Sequence, residues 1–163
     1  MRKLESPLPQ KTNTQTTFTN KVKIILCAED YTPGEKKSVN IQTDGLTKLL
    51  KIPELQLTVP LSKKYIFKIF DTLIQGFSQG KSIRENTIYE LTESYPKVMF
   101  KYITDSRGEK FLRIIMPDPV GQYPDTSSIY PYNKQFEPEP YFSSSFKKFS
   151  LIVLRGENDE TES

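Results

Sequence analysis

The chain has no histidine and a single cysteine, Cys27, among its 163 residues. Without histidine there is neither a Ser-His-Asp nor a Cys-His relay, and without a second cysteine there is no ordinary zinc site. Glycine-rich phosphate loops are missing too: neither Gly-x-Gly-x-x-Gly nor Gly-x-x-x-x-Gly-Lys-Ser/Thr occurs. These gaps remove most familiar hydrolase, zinc and nucleotide-binding designs. The chain is therefore expected to be non-catalytic and to use no cofactor or metal. Asp30, Glu35 and Lys37 have the residue types of a carboxylate-only magnesium nuclease, but they crowd the turn Pro33-Gly34, and solvation of a turn accounts for them better.

Long apolar runs are also lacking. None approaches the length that spans a bilayer, and the first twenty residues have no hydrophobic core of a secretory signal. Cys27 sits in the run Ile24-Ile25-Leu26-Cys27-Ala28 and reads as a packed thiol, so folding needs no oxidising compartment. The expectation is a soluble intracellular protein with no membrane partner.

Acidic residues are few in the body and dense at the end. The net charge is +3, but Gly156 to Ser163 holds four acids and no base, leaving residues 1–155 with 23 basic and 16 acidic side chains, a net +7. A basic body with an acidic tail suits a polyanion binder whose tail competes for its site, although a solvated charged terminus is the commoner meaning of such a tail. The last eight residues resemble the acidic tails of bacterial and phage single-stranded DNA-binding proteins. They depart from them by closing on Ser163 instead of an aromatic anchor, and no family membership is inferred.

Residues 1–20 are rich in Thr, Gln, Asn, Pro and Lys, cannot offset the entropy of ordering by burial, and read as a flexible arm. Residues 21–155 are expected to form one α+β domain, with 156–163 as its tail. Strands are predicted at Lys21 to Ala28, at Ser38 to Gln42 with Val39 and Ile41 inward, and at Glu54 to Val59 as a half-buried alternation. A helical turn is predicted between them, at Asp44 to Leu50. The clearest helix runs from a Ser62 N-cap to about Phe77, because Ile66, Ile69, Phe70, Leu73 and Phe77 recur at helical spacing. A weaker strand at Thr87 to Thr92 follows, and Phe146 to Leu154 reads as a final, central strand.

Lys97 to Met116 reads as two strands joined by Asp105-Ser106-Arg107-Gly108-Glu109. Gly108 tolerates the left-handed conformation that closes such a loop, which sets Asp105 opposite Glu109. In that register Val98, Phe100, Tyr102, Leu112, Ile114 and Met116 share an apolar face, and Lys97, Met99, Lys101, Ile103, Phe111, Arg113 and Ile115 share the other. Three strands, a helix and two to four further strands is the order of an OB barrel with additions, although small open sheets of the PC4-like and Whirly-like kind give similar strings. The expected fold is thus mostly antiparallel β, either an OB-like barrel or a small sheet, with one main helix.

Two binding surfaces follow, single-stranded nucleic acid being the expected ligand and a protein-interaction or structural role the alternative. In the barrel reading Tyr31, Lys36, Lys37, Lys101, Arg107, Phe111 and Arg113 interleave cations with rings on a face suited to single-stranded nucleic acid. The connection from Pro117 to Ser145 holds six prolines and the rings Tyr123, Tyr130, Tyr132, Phe136, Tyr141 and Phe142. Loops this long are often functional, so these rings, or the N-terminal arm, are expected to dock a protein partner or to wrap their own domain. Oligomeric state is left open.

Overall fold

The computed structural model describes residues 2–3, 22–28, 36–141 and 150–154, with the side chains of 2–3, 25–28 and 150–154 outside the description. The strands are β1 Arg2–Lys3, β2 Lys23–Ala28, β3 Asn40–Asp44, β4 Glu54–Leu57, β5 Tyr89–Glu90, β6 Met99–Thr104, β7 Lys110–Ile115 and β8 Ser150–Leu154; the helices are α1 Leu46–Leu50 and α2 Lys63–Ser78. Six strands make one sheet in the order β6-β7-β4-β3-β2-β8, and β1 pairs with β5 in a separate two-stranded parallel sheet. Within the large sheet only β4 and β7 run parallel.

The hairpin forms in the predicted register. Asp105 donates its N–H to the Glu109 carbonyl at 2.9 Å, and Gly108, at φ 86°, donates to the Asp105 carbonyl at 3.0 Å. The Asp105 carboxylate tightens the turn by accepting from the backbone N–H groups of Arg107 and Glu109. Those hydrogen bonds outweigh the upward push of burial and hold its carboxyl below the ordinary range. Val98, Phe100, Leu112, Ile114 and Met116 are all buried, but Tyr102 is 39% exposed, its ring 5.0 Å from the Lys110 ammonium. Tyr102 pairs with Leu112 on that face but lies on the edge strand, where its ring meets solvent.

Helix α2 matches expectation. The Ser62 hydroxyl accepts from the Tyr65 N–H at 3.2 Å, and Ile66, Phe67, Ile69, Phe70, Leu73 and Ile74 are buried in one apolar cluster with Ile24, Ile41, Leu55, Leu57, Phe100 and Leu112. Short α1 has no side-chain cap of its own. Its free N–H groups at Gly45, Leu46 and Thr47 instead donate to the Glu54 carboxylate at 3.1–3.2 Å, which ties β4 to the helix start.

Four expectations change. The barrel does not close: β8 occupies the outer edge of β2, where a closing strand would pair, so β6 and β8 remain as the two edges. The final strand is consequently an edge strand, not a central one. Residues 55–60 are all buried instead of alternating, because α2 lies on one side of β4 and the Pro/aromatic loop on the other. The Thr87 to Thr92 strand shrinks to β5, which bridges to Val98.

Within the N-terminal arm, Arg2 and Lys3 pair with Tyr89 and Glu90. The rest of the arm and the tail 156–163 lie outside the described residues, as does the side chain of Cys27. Among the described residues no helix is long and apolar enough to cross a membrane.

Replacing Phe70, fully enclosed, by alanine should cost about 3–5 kcal/mol of unfolding free energy in urea denaturation. A cost under about 1 kcal/mol would mean that the helix does not seal the core.

Candidate functional site

The sheet face opposite α2 carries a polar row. The register sets Gln42 beside Gln56, Gln56 beside Arg113 and Arg113 beside Lys101, across β3, β4, β7 and β6. Arg113, Gln56 and Gln42 are joined in sequence by way of Asn40. Arg113 donates to Gln56 Oε1 at 2.9 and 2.6 Å, Gln56 donates to Asn40 at 2.9 Å, and Asn40 donates to Gln42 at 3.0 Å. Phe111, Ile103 and Ile115 fill the space around the row and are buried.

Over this row lies the second half of the Pro/aromatic loop, residues 132–141, beginning in a 3-10 turn at Tyr132–Lys134. Arg113 is the attachment. Besides Gln56, its guanidinium donates to the backbone carbonyls of Gln135 at 2.9 Å, Pro138 at 2.8 Å and Glu137. A guanidinium has five N–H donors, and all five are used. Burial pushes Arg113 down to about 10, with Tyr141 and Glu139 pulling the other way, so the group remains charged at neutral pH.

Three further contacts fasten the loop. Gln135, fully buried, accepts from the Met116 N–H at 2.8 Å and donates to the carbonyls of Met116 and Tyr132 at 2.7 and 2.9 Å. Glu139 accepts from the Ser106 N–H at 2.6 Å, and Lys101 lies 5.6 Å from the Phe136 ring centre. Burial also pushes the Tyr141 phenol above its ordinary range, against the pull of Arg113.

The first half of the loop, residues 117–132, shapes a cleft. Asp118 is buried and organises the turn after it, accepting from the N–H groups of Val120 and Gln122 and from the Ser127 hydroxyl at 2.6 Å. Burial raises its carboxyl, but these hydrogen bonds prevail and hold it below the ordinary range. The cleft, about 600 Å³, is lined by Tyr65, Tyr95, Tyr123 and Tyr132, by Pro96, Pro117 and Pro119, and by Lys97, Leu61 and Met116 among others. Tyr65 meets Tyr95 edge-on at 4.6 Å, and Tyr123 donates its hydroxyl to the Lys97 carbonyl at 2.8 Å. Burial, then the neighbouring tyrosines, push the Tyr65 phenol up to about 12. Tyr132 is raised by burial and by Asp118.

The predicted nucleic-acid set does not form one exposed surface. Lys101, Phe111 and Arg113 do share a face, but Phe111 is 1% exposed and Arg113 0%, because the loop covers them. Arg107 is exposed on the hairpin turn, engaged with Asp105 at 3.3 Å and Glu109 at 3.6 Å. Lys36 is exposed and Lys37 half-buried at the approach to β3, and Tyr31 lies outside the described residues. The predicted partner-binding rings divide. Tyr130 is exposed, Tyr132 lines the cleft, Phe136 and Tyr141 lie on the segment that covers the sheet, and Phe142 is outside the described residues.

Sequence reasoning missed Tyr65, Tyr95, Gln56, Asp118 and Gln135. Tyr65 carried a usable signal, since it lies in the first turn of α2 just before the apolar stripe begins at Ile66. The amides carried none.

Arg113→Met keeps the bulk of the side chain but strips its donors, stranding Gln56 and three carbonyls. It should cost about 2–5 kcal/mol in urea denaturation. Hydrogen exchange should quicken between residues 135 and 141. An unchanged midpoint and unchanged exchange would show that the guanidinium does not hold the loop.

Alkaline pH provides a second test. Tyr65 titrates near 12 in the fold and near 10 when unfolded, so its contribution is complete below pH 10 and is lost as pH rises toward 12. Arg113, lowered to about 10, acts in the opposite sense over the same window, because its burial penalty is relieved once it deprotonates. The informative readout is therefore the difference between parent and Tyr65→Phe. The variant should lose less thermal stability across that window, and parallel losses would count against the buried phenol.

Comparison with protein families, with curated proteins and with solved structures gives no match to this chain.

Proposed function

We propose that this chain is a non-catalytic protein-interaction module, acting within the cell as a single domain, and that the tyrosine cleft docks a proline-bearing extended segment of its partner. One observation carries the reading: four tyrosines and three prolines converge on one cleft of about 600 Å³. Tyrosine offers a large contact area for two side-chain torsions, and aromatic grooves suit polyproline II segments, which arrive with little conformational entropy left to lose. Lys97 at the cleft adds a cation for an acidic residue beside the prolines. The loop's own hydrogen bonds at Asp118 and Gln135 keep the wall in place before a ligand arrives.

The strand order supports a ligand-binding module of OB-like kind: a three-strand meander, a helix, then a hairpin whose second strand joins the third in parallel. A single cysteine fits an intracellular setting. Single-stranded nucleic acid is the second reading. It is favoured by the convergence of Lys101, Phe111 and Arg113 on one face.

Calorimetric titration with proline-rich peptides, and with the same peptides carrying alanine for proline, tests the cleft. Tyr95→Ala should weaken binding about tenfold or more, and the affinity should respond only slightly to salt. Binding that survives Tyr95→Ala, or that prefers the alanine peptides, would overturn the reading.

A further inference from the structure

The segment 132–141 lies across the polar row as a strap, and what it presents there has a particular chemistry. Three backbone carbonyl oxygens converge on the Arg113 guanidinium, and the Phe136 ring packs against the Lys101 ammonium. A single nucleic-acid strand supplies the same partners, phosphate oxygens for a guanidinium and flat rings for a cation. Beneath the strap, Phe111 is buried at a register position facing Ile103, two residues from Arg113. Gln56 and Asn40 extend the face with amides able to meet base edges or phosphates.

From this juxtaposition we infer that the strap occupies, in the manner of a bound single strand, a nucleic-acid site built from Lys101, Phe111 and Arg113, and that binding requires its displacement. The described hold of the strap on the sheet includes exchangeable polar contacts, made by the Arg113 guanidinium, the Gln135 amide, the Glu139 carboxylate and a Tyr141–Gln56 hydrogen bond, and a nucleic-acid strand offers acceptors and rings in their place. The strap's described hydrogen bonds to Arg113 come from neutral backbone carbonyls, which phosphate oxygens would replace with charge-assisted contacts. The inference does not depend on the tyrosine cleft.

The test replaces residues 133–141 with a Gly/Ser linker of equal length and measures fluorescence anisotropy of labelled oligothymidylate, oligouridylate and duplex DNA at low and moderate salt. The expected result is single-strand binding at least tenfold tighter than that of the intact chain. Arg113→Gln in the linker background should remove most of that gain and reduce the salt slope by about one phosphate contact. The two oligonucleotides distinguish DNA from RNA as the preferred strand. A linker variant that folds, by circular dichroism, yet binds no tighter than the intact chain overturns the proposal, as does equal affinity for duplex.

If the linker variant does not fold, two substitutions in the full chain decide. Glu139→Ala detaches the strap from the Ser106 N–H, whereas Glu139→Gln removes the same charge but keeps an acceptor for that N–H. Glu139→Ala should strengthen oligothymidylate binding at least threefold more than Glu139→Gln. Equal effects would overturn the proposal.

Discussion

A buried guanidinium cannot be left without acceptors, and that requirement at Arg113 shapes half of this molecule. Taking an arginine out of water costs several kcal/mol unless its donors are met. The sheet alone offers it one amide oxygen, from Gln56. The remaining donors require acceptors from above, and the carbonyls of Gln135, Glu137 and Pro138 supply them. Thus a charge inside a β-strand dictates the path of a loop more than twenty residues downstream. Once that loop is in place, Phe111, Ile103 and Ile115 are sealed, and the sheet has apolar packing on both faces.

The same loop builds the cleft, and Met116 is where the two tasks meet. Its side chain is buried at the end of β7 and reaches the cleft wall, while its N–H and carbonyl are both held by the Gln135 side chain. Gln135 thereby pairs with the end of β7 as a further strand would. The chain between Met116 and Gln135 is then a closed excursion with fixed ends. Asp118 spends its carboxylate inside that excursion, which leaves the tyrosines to define its exposed wall.

What the sequence made legible was the part governed by local rules. Ser62 and the Ile66/Phe70/Leu73 stripe marked α2 because capping and helical spacing are short-range, and Gly108 set the hairpin register because a left-handed residue is needed at one place only. The pairing of β8 with β2 was not legible, since it joins residues more than a hundred positions apart and depends on which sheet edge is free. Lys101, Phe111 and Arg113 were correctly placed on one face. Whether that face met water depended on carbonyls of the loop, and backbone acceptors leave no mark in residue identity. The cleft was illegible for a related reason: its tyrosines come from α2, from the turn after β5 and from the loop, so only the fold brings them together.

Backbone carbonyls as the acceptors for Arg113 also explain how one segment serves several contacts. A carboxylate partner would have fixed a side chain at each anchoring position. Carbonyl anchoring leaves the side chains of 135–139 free for other work: Gln135 turns to Met116, Phe136 to Lys101, Glu137 to Lys134 at 3.4 Å, and Glu139 to Ser106. The grip is directional and involves a single formal charge, so salt screens it less than it would an exposed ion pair. The attachment of the loop and the chemistry of its exposed side are therefore separable, and the rings can be tuned for recognition while the carbonyls keep the segment on the sheet.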